Sequence, residues 1–210
     1  MIKKLMISLK IILIFFVYSI IATAIAQDVL ISEDFSNPSS DWDIFSDEDG
    51  SVAYQNGLLC IIDTNNVEKT TKSCINGYFS DLVIDVDTKL IGGSDDNWHV
   101  VYCRLDDLDN NYGFGISSDG YYAMDKWVDG ERTWFIGPTE SEYINVGIAL
   151  TNHIHIECIG QELSFSVNGH LLGKATDSSH EAGSICLAAR TLSGSLTEVA
   201  YDNFVLTKPE

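Results

Sequence analysis

Apolar and polar residues alternate along most of the chain, most sharply between Asn111 and Phe135, in the stretch NYGFGISSDGYYAMDKWVDGERTWF. A period of two puts successive side chains on opposite faces of an extended strand. The pattern predicts three antiparallel strands joined by turns at Asp119-Gly120 and Asp129-Gly130. In such pairs the glycine takes the positive φ of a tight hairpin turn without steric cost. Suppose the first loop is Ser118-Asp119-Gly120, bulged at the glycine, and the second turn has two residues. Ser117 then faces Tyr121, and Tyr112, Phe114, Ile116, Tyr122, Met124 and Phe135 share a core face. Gly113, Gly115, Tyr121, Ala123, Asp125, Trp127, Arg132 and Trp134 share the other. A two-residue first turn would shift the pairing by one and mix the faces. The bulged register separates the apolar residues better. It leaves two tryptophans on a face with glycines, the outline of a shallow trough.

The same alternation predicts strands on both sides of this meander. Val29–Phe35 comes first, then a hairpin over Val52–Ile62 about Asn56-Gly57, a polar loop over Asp63–Ser73, and strands over Gly77–Leu90 and Trp98–Leu105. Beyond it, His153–Ile159 puts Ile154, Ile156 and Cys158 inward and His153, His155 and Glu157 outward. Leu163–Val167, Ile185–Ala189 and Val199–Leu206 follow. No window reads as a long amphipathic helix. A dozen or so short strands with frequent turn signals predict an all-β, antiparallel sandwich or barrel.

The first 26 residues stand apart from this pattern. Lys3, Lys4 and Lys10 lead into an apolar run from Ile11 to Ile21, and Ala24-Ile25-Ala26 supplies small residues before Gln27. This is the pattern of a secretory signal peptide, with an uncleaved membrane anchor as the competing reading. Residues 27–210 then form a single domain, secreted or held at the cell surface, with no membrane insertion after cleavage. Without those three lysines the 12 basic residues fall to 9 against 31 acidic ones, a net charge near −22. Such a surface repels nucleic acid and anionic membranes and favours cations and neutral partners. Export permits disulfides among the five cysteines. Cys103–Cys158 is the first expected pair, from two strong strand patterns, and Cys60–Cys74 the second, leaving Cys186 buried and free. No CxxC spacing points to zinc.

An ordered series of short motifs runs through the chain: Glu33-Asp34-Phe35, Cys103-Arg104, Asp109-Asn110-x-Tyr112-x-Phe114-x-Ile116 and Asp119-Gly120-Tyr121-Tyr122. Asn152-x-Ile154-x-Ile156-x-Cys158-x-Gly160, Val167-Asn168-Gly169 and Asp202-Asn203-Phe204 follow. From about Leu30 to Leu206 this series resembles the concanavalin A-like lectin/glucanase superfamily. Within it, the laminin-G-like branch of bacterial secreted proteins, catalogued beside the 3-keto-disaccharide hydrolase-like proteins, is the most similar. The resemblance implies a jelly roll of two curved sheets, with carbohydrate-binding or adhesive roles.

Sugars present apolar C–H patches flanked by hydroxyls, so aromatic rings mixed with short polar groups suit them. Tyr121, Asp125, Trp127, Arg132 and Trp134 are therefore the candidate ligand-binding residues, with Trp98 and His99 at a rim. The competing reading is that the rings cover the core edge or one another. Glu33, Asp34 and Asp202 could share a structural calcium where the terminal strands meet, which the resemblance allows. Asp107-x-Asp109-x-Asn111 only superficially matches a calcium loop, since its glycine falls late and Ser118 occupies the twelfth position. His153-x-His155-x-Glu157 puts three metal-ligand types on one face, but a solvated polar row looks the same. Glycoside hydrolases of this fold carry paired carboxylates on one strand; Asp85-Val86-Asp87 is the nearest arrangement and lacks a glutamate. No catalytic residue is assigned. The chain reads as a secreted, non-catalytic module for carbohydrate or a glycosylated surface. A protein-contacting adhesion module and a glycoside hydrolase with acids from separate loops are the alternatives.

Overall fold

The structure is a computed structural model that describes residues 28–38, 41–64, 70–194 and 196–209. The expected signal segment, residues 1–26, lies outside them. Among the described residues, fifteen strands form two antiparallel sheets. The larger runs in the order β13 (His170–Thr176), β12 (Glu162–Val167), β11 (Asn152–Ile159), β6 (Leu82–Gly93), β15 (Thr197–Thr207), β4 (Leu58–Asp63), β3 (Gly50–Gln55), β2 (Phe45–Ser46). Strand β1 (Val29–Glu33) also pairs with β15. The smaller runs β10 (Glu131–Glu140), β9 (Tyr121–Val128), β8 (Asn110–Ile116), β7 (Asn97–Asp107), β14 (Gly183–Thr191), β5 (Thr71–Phe79). This is a two-sheet jelly-roll sandwich.

Period-two alternation is what holds the sheets together. Leu82, Ile84 and Val86 of β6 and Ile154, Ile156 and Cys158 of β11 meet Tyr112, Phe114 and Ile116 of β8 and Ile185 and Leu187 of β14, all buried in one core. Burying each such side chain is worth about 1.5–3 kcal/mol. The opposite face of the smaller sheet carries a second, smaller cluster of Cys74, Val100, Tyr102, Leu105, Cys186 and Ala188, with Trp98 packed against it. The smaller sheet is therefore apolar on both faces, and its outer face is the unusual one.

The central meander adopts the bulged register. Ile116 pairs with Tyr122, the Ser117 N–H donates to the Tyr121 carbonyl at 2.7 Å, and Gly120 has a φ of 102°. At the second turn Val128 pairs with Glu131, and Asp129 and Gly130 both have positive φ, as a two-residue primed turn requires.

The stretch 63–73, expected as a loop, is strand at both ends, and residues 65–69 within it lie outside those described. Strand β5 begins at Thr71, and Ser73 and Cys74 pair with Leu187 and Cys186. The polarity there serves buried hydrogen bonds. Asp63 is fully buried and accepts from Thr71 Oγ1 at 2.8 Å and from the Thr191 N–H at 2.7 Å.

The cysteine expectations need correction. The disulfide is Cys74–Cys186, between residues directly opposite each other on β5 and β14. Cys60–Cys74 does not form, because Cys60 lies in β4 of the other sheet, opposite Ala53 and Ala200. Cys186, expected free, is bonded. Cys103 and Cys158 do meet in the core between the sheets, but as thiols. Burial first, and then contact with Cys103, push the Cys158 thiol well above its ordinary range.

Candidate functional site

The outer face of the smaller sheet carries a trough of about 350 Å³. Its floor exists because β8 contributes glycines. A Cβ on Gly113 would lie 2.5 Å from Asp125 Oδ1, and one on Gly115 would lie 3.1 Å from the Trp98 ring. Ala123 of β9 is small for the same reason of place. Around this floor stand Trp98 and Tyr102 from β7, Asp125 and Trp127 from β9, Arg132 and Trp134 from β10, and Arg190 from β14.

The walls are fixed by one arrangement of charge and rings. Arg132 pairs directly with Trp127 across β9 and β10, and Trp134 is two residues further on the same face. Its guanidinium carbon lies 4.6 Å from the centroids of both Trp127 and Trp134. Each contact of this kind contributes roughly 0.5–2 kcal/mol. Arg132 Nε also faces Asp125 Oδ2 at 3.4 Å. Burial raises the Asp125 carboxyl to about 6, against the opposing effects of Arg132, a hydrogen bond from the Trp127 side chain, and Arg190. Burial, with Asp125 adding to it, likewise pushes the Tyr102 hydroxyl up to about 12. A carboxyl titrating near 6 in an aromatic concavity is the kind of perturbed group that marks functional sites.

Four of the five expected ligand-binding residues, Asp125, Trp127, Arg132 and Trp134, come together here. Neither tryptophan lies between the layers, and Trp134 is 41% exposed. Tyr121 is exposed at the start of β9, opposite Glu140, and does not line the trough. Of the two rim candidates, Trp98 lines the trough. His99 faces the other way, buried between Thr88 Oγ1 at 2.8 Å and Ser118 Oγ at 3.0 Å. Burial lowers it to about 3. Tyr102 and Arg190 are lining residues that the sequence reading missed. Their outward direction follows from alternation with Cys103 and Ala189, but the adjacency of β14 to β7 is a matter of topology.

The remaining candidates are drawn into other bonds. Glu33 accepts from the Phe35 N–H at 2.9 Å, Asp34 from Ser36, and Asp202 from the Asn203 N–H. The calcium expectation finds no common cluster: among the described residues no group of three or more His, Cys, Asp or Glu is placed to hold a metal ion. His153 contacts Asp87 at 2.8 Å and Asp85 at 3.1 Å, and His155 contacts Asp85 at 2.8 Å. The Asp85-x-Asp87 pair nearest to a catalytic pattern is thus occupied by histidines on the outer face of the larger sheet.

No protein-family model matches the sequence, and no curated protein matches it. Solved structures do. A carbohydrate-binding module, CBM66 from Bacillus subtilis, superposes with a TM-score of 0.63 at 14% identity, over 80% of this chain and 96% of that one. A Bacillus subtilis protein of unknown function with a galectin-like fold reaches 0.65 at 12% identity, over 86% and 96%. A Bacillus licheniformis β-glucanase reaches 0.65 at 10% identity, over 88% and 100%. The likeness is one of fold. It joins this chain to the jelly-roll architecture shared by carbohydrate-binding modules and glycoside hydrolases, and leaves binding and catalysis to be argued from the trough.

Proposed function

We propose that the chain is an exported, non-catalytic carbohydrate-binding module of the laminin-G-like kind, and that its ligand lies in the trough on the smaller sheet. The observation that carries this reading is the grouping of Trp98, Tyr102, Trp127 and Trp134 about a floor of glycines, with Asp125 and two arginines among the rings. Ring faces suit the C–H patches of a sugar, and the charged groups suit its hydroxyls. The fold's other known tenants include both binding modules and hydrolases, so fold alone does not choose between them.

Oligosaccharide binding by the purified mature chain, measured by glycan array and calorimetry, tests the proposal. Trp127→Ala and Trp134→Ala should each weaken binding at least tenfold, with the far-UV spectrum kept and the melting temperature lowered by no more than a few degrees. Pull-down of a protein partner unaffected by free sugar, with no glycan bound, would replace this reading with an adhesion module.

One observation favours a second reading. Asp125, held near 6, has the acidity of a general acid in glycoside hydrolysis. Release of reducing ends from a polysaccharide, lost in Asp125→Asn, would make the chain a hydrolase. Asp125 has Arg132 as its charge partner, Asp109 is the trough's other carboxylate, and the predominance of aromatic rings in the lining makes binding the preferred reading.

A further inference from the structure

We propose that the trough selects sugars bearing a carboxylate, such as hexuronates or nonulosonates, over neutral sugars. This rests on the binding reading above and adds the ligand class.

Arginine is scarce in this chain and unevenly placed. The chain has three, Arg104, Arg132 and Arg190, within a net charge of −19. Arg104 is spent inside the fold, donating to the carbonyls of Ser80, Gly160, His180 and Cys158. Both of the others line the trough. Asp109 and Asp125 line the same trough, so the two arginines bring a strongly acidic protein to charge balance there, and preference for an anion rests on how Arg132 presents its donors. At physiological salt, charges beyond about 8 Å are largely screened, so the acidic surface elsewhere adds little to that balance.

Arg132 is held in place by its neighbours. Indole rings at 4.6 Å flank its guanidinium, and Nε is turned to Asp125. With two indole rings against the guanidinium and Nε turned to Asp125, the donors left for a ligand are on the terminal nitrogens. No described residue is hydrogen-bonded to those nitrogens. The side chain keeps 29% of its surface exposed. A planar pair of donors held rigidly at the edge of a cavity matches the fork of a carboxylate, which can accept two parallel hydrogen bonds. A neutral hydroxyl has neither the charge nor the second oxygen that makes the two bonds parallel. The rings beside it then meet the C–H surface of the same sugar.

The experiment compares matched oligosaccharides by calorimetry at pH 7: neutral glucan and galactan oligomers, galacturonate and glucuronate oligomers, the methyl esters of those uronates, sialyllactose, and sulfated galactan oligomers. The expected result is at least tenfold tighter binding of an acid than of its methyl ester. Preference for the uronates or for sialyllactose identifies the source of the carboxylate. Arg132→Gln should remove the difference between acid and ester while Trp127→Ala weakens both. Arg132→Lys, which keeps the charge but not the fork, should retain folding and lose most of the preference. Equal binding of acid and ester, or tighter binding of neutral or sulfated sugars, overturns the carboxylate assignment and leaves the binding reading standing. Absence of binding to every saccharide in the panel would sink both.

Discussion

Asp125 Oδ2 sits 3.4 Å from Arg132 Nε on the outer face of the smaller sheet, yet the carboxyl titrates near 6 rather than below its ordinary value. Burial outweighs the pairing. Trp127 on its own strand, Arg132 from β10 and Arg190 from β14 each favour the ionised form, and together they do not restore what desolvation removes. The trough is thus held in a state that costs stability at neutral pH.

The sign of the pH dependence follows. A carboxyl whose folded pKa is raised above its ordinary value of 3.8 binds more protons in the native state between about pH 4 and pH 6. Native stability therefore falls as pH rises through that window, and the cost persists above it. Asp125→Asn should stabilise the protein at pH 7.5 by on the order of 1–3 kcal/mol and leave it almost unchanged near pH 3.5. Thermal melts of the two proteins across pH 3.5–8 would check this. A substitution effect independent of pH would contradict it.

The glycine floor carries the second prediction. Gly113→Ala brings a methyl to 2.5 Å from Asp125 Oδ1, and the short carboxylate side chain must move. The expected outcome is a loss of about 1–3 kcal/mol in urea unfolding, from crowding in a packed layer. Gly137, with nothing within 4 Å of its Cβ position, is the control: Gly137→Ala should change stability by less than about 0.5 kcal/mol.

Thiol chemistry gives the third. The bond between Cys74 and Cys186 joins residues 112 apart in sequence, and replacing both with serine should cost about 2–5 kcal/mol. Cys60, Cys103 and Cys158 are buried thiols. A thiol reagent should find essentially none in the native protein and three after unfolding under non-reducing conditions. One thiol after unfolding would instead mean that Cys103 and Cys158 are oxidised.

How much of this was legible in the chain depends on the range of the interaction. The hairpin at Asp129-Gly130, the bulge at Gly120 and the two faces of the meander are local, and residue type with period two suffices to read them. Hence Asp125, Trp127, Arg132 and Trp134 fall on one face before any coordinates are known. Cys74 could not be matched to Cys186 in the same way, because strand order across a sheet has no local signature. The same holds for Arg190, brought beside Trp98 only by the pairing of β14 with β7. His99 shows the opposite failure: its neighbour Trp98 faces the trough, and one step along a strand reverses the side chain into a buried polar site.

Arg104 carries the last prediction, and it concerns the fold on which the trough depends. Its backbone has a φ of 49°, its side chain is 2% exposed, and it donates to four carbonyls drawn from separate parts of the chain. Asp81, at 3.5 Å, is its carboxylate partner and is half in solvent. Removing a buried charge that satisfies so many acceptors strands those carbonyls in an apolar setting, the more expensive side of any hydrogen-bond exchange. Arg104→Met keeps much of the volume and no donor. It should cost about 3–5 kcal/mol in denaturant unfolding with the slope against urea unchanged. Asp81→Ala removes the half-exposed partner and its bond from the Gly160 N–H at 2.7 Å, and should cost less than about 1.5 kcal/mol. If the two substitutions cost the same, the carbonyl bonds are not what holds this corner of the sandwich.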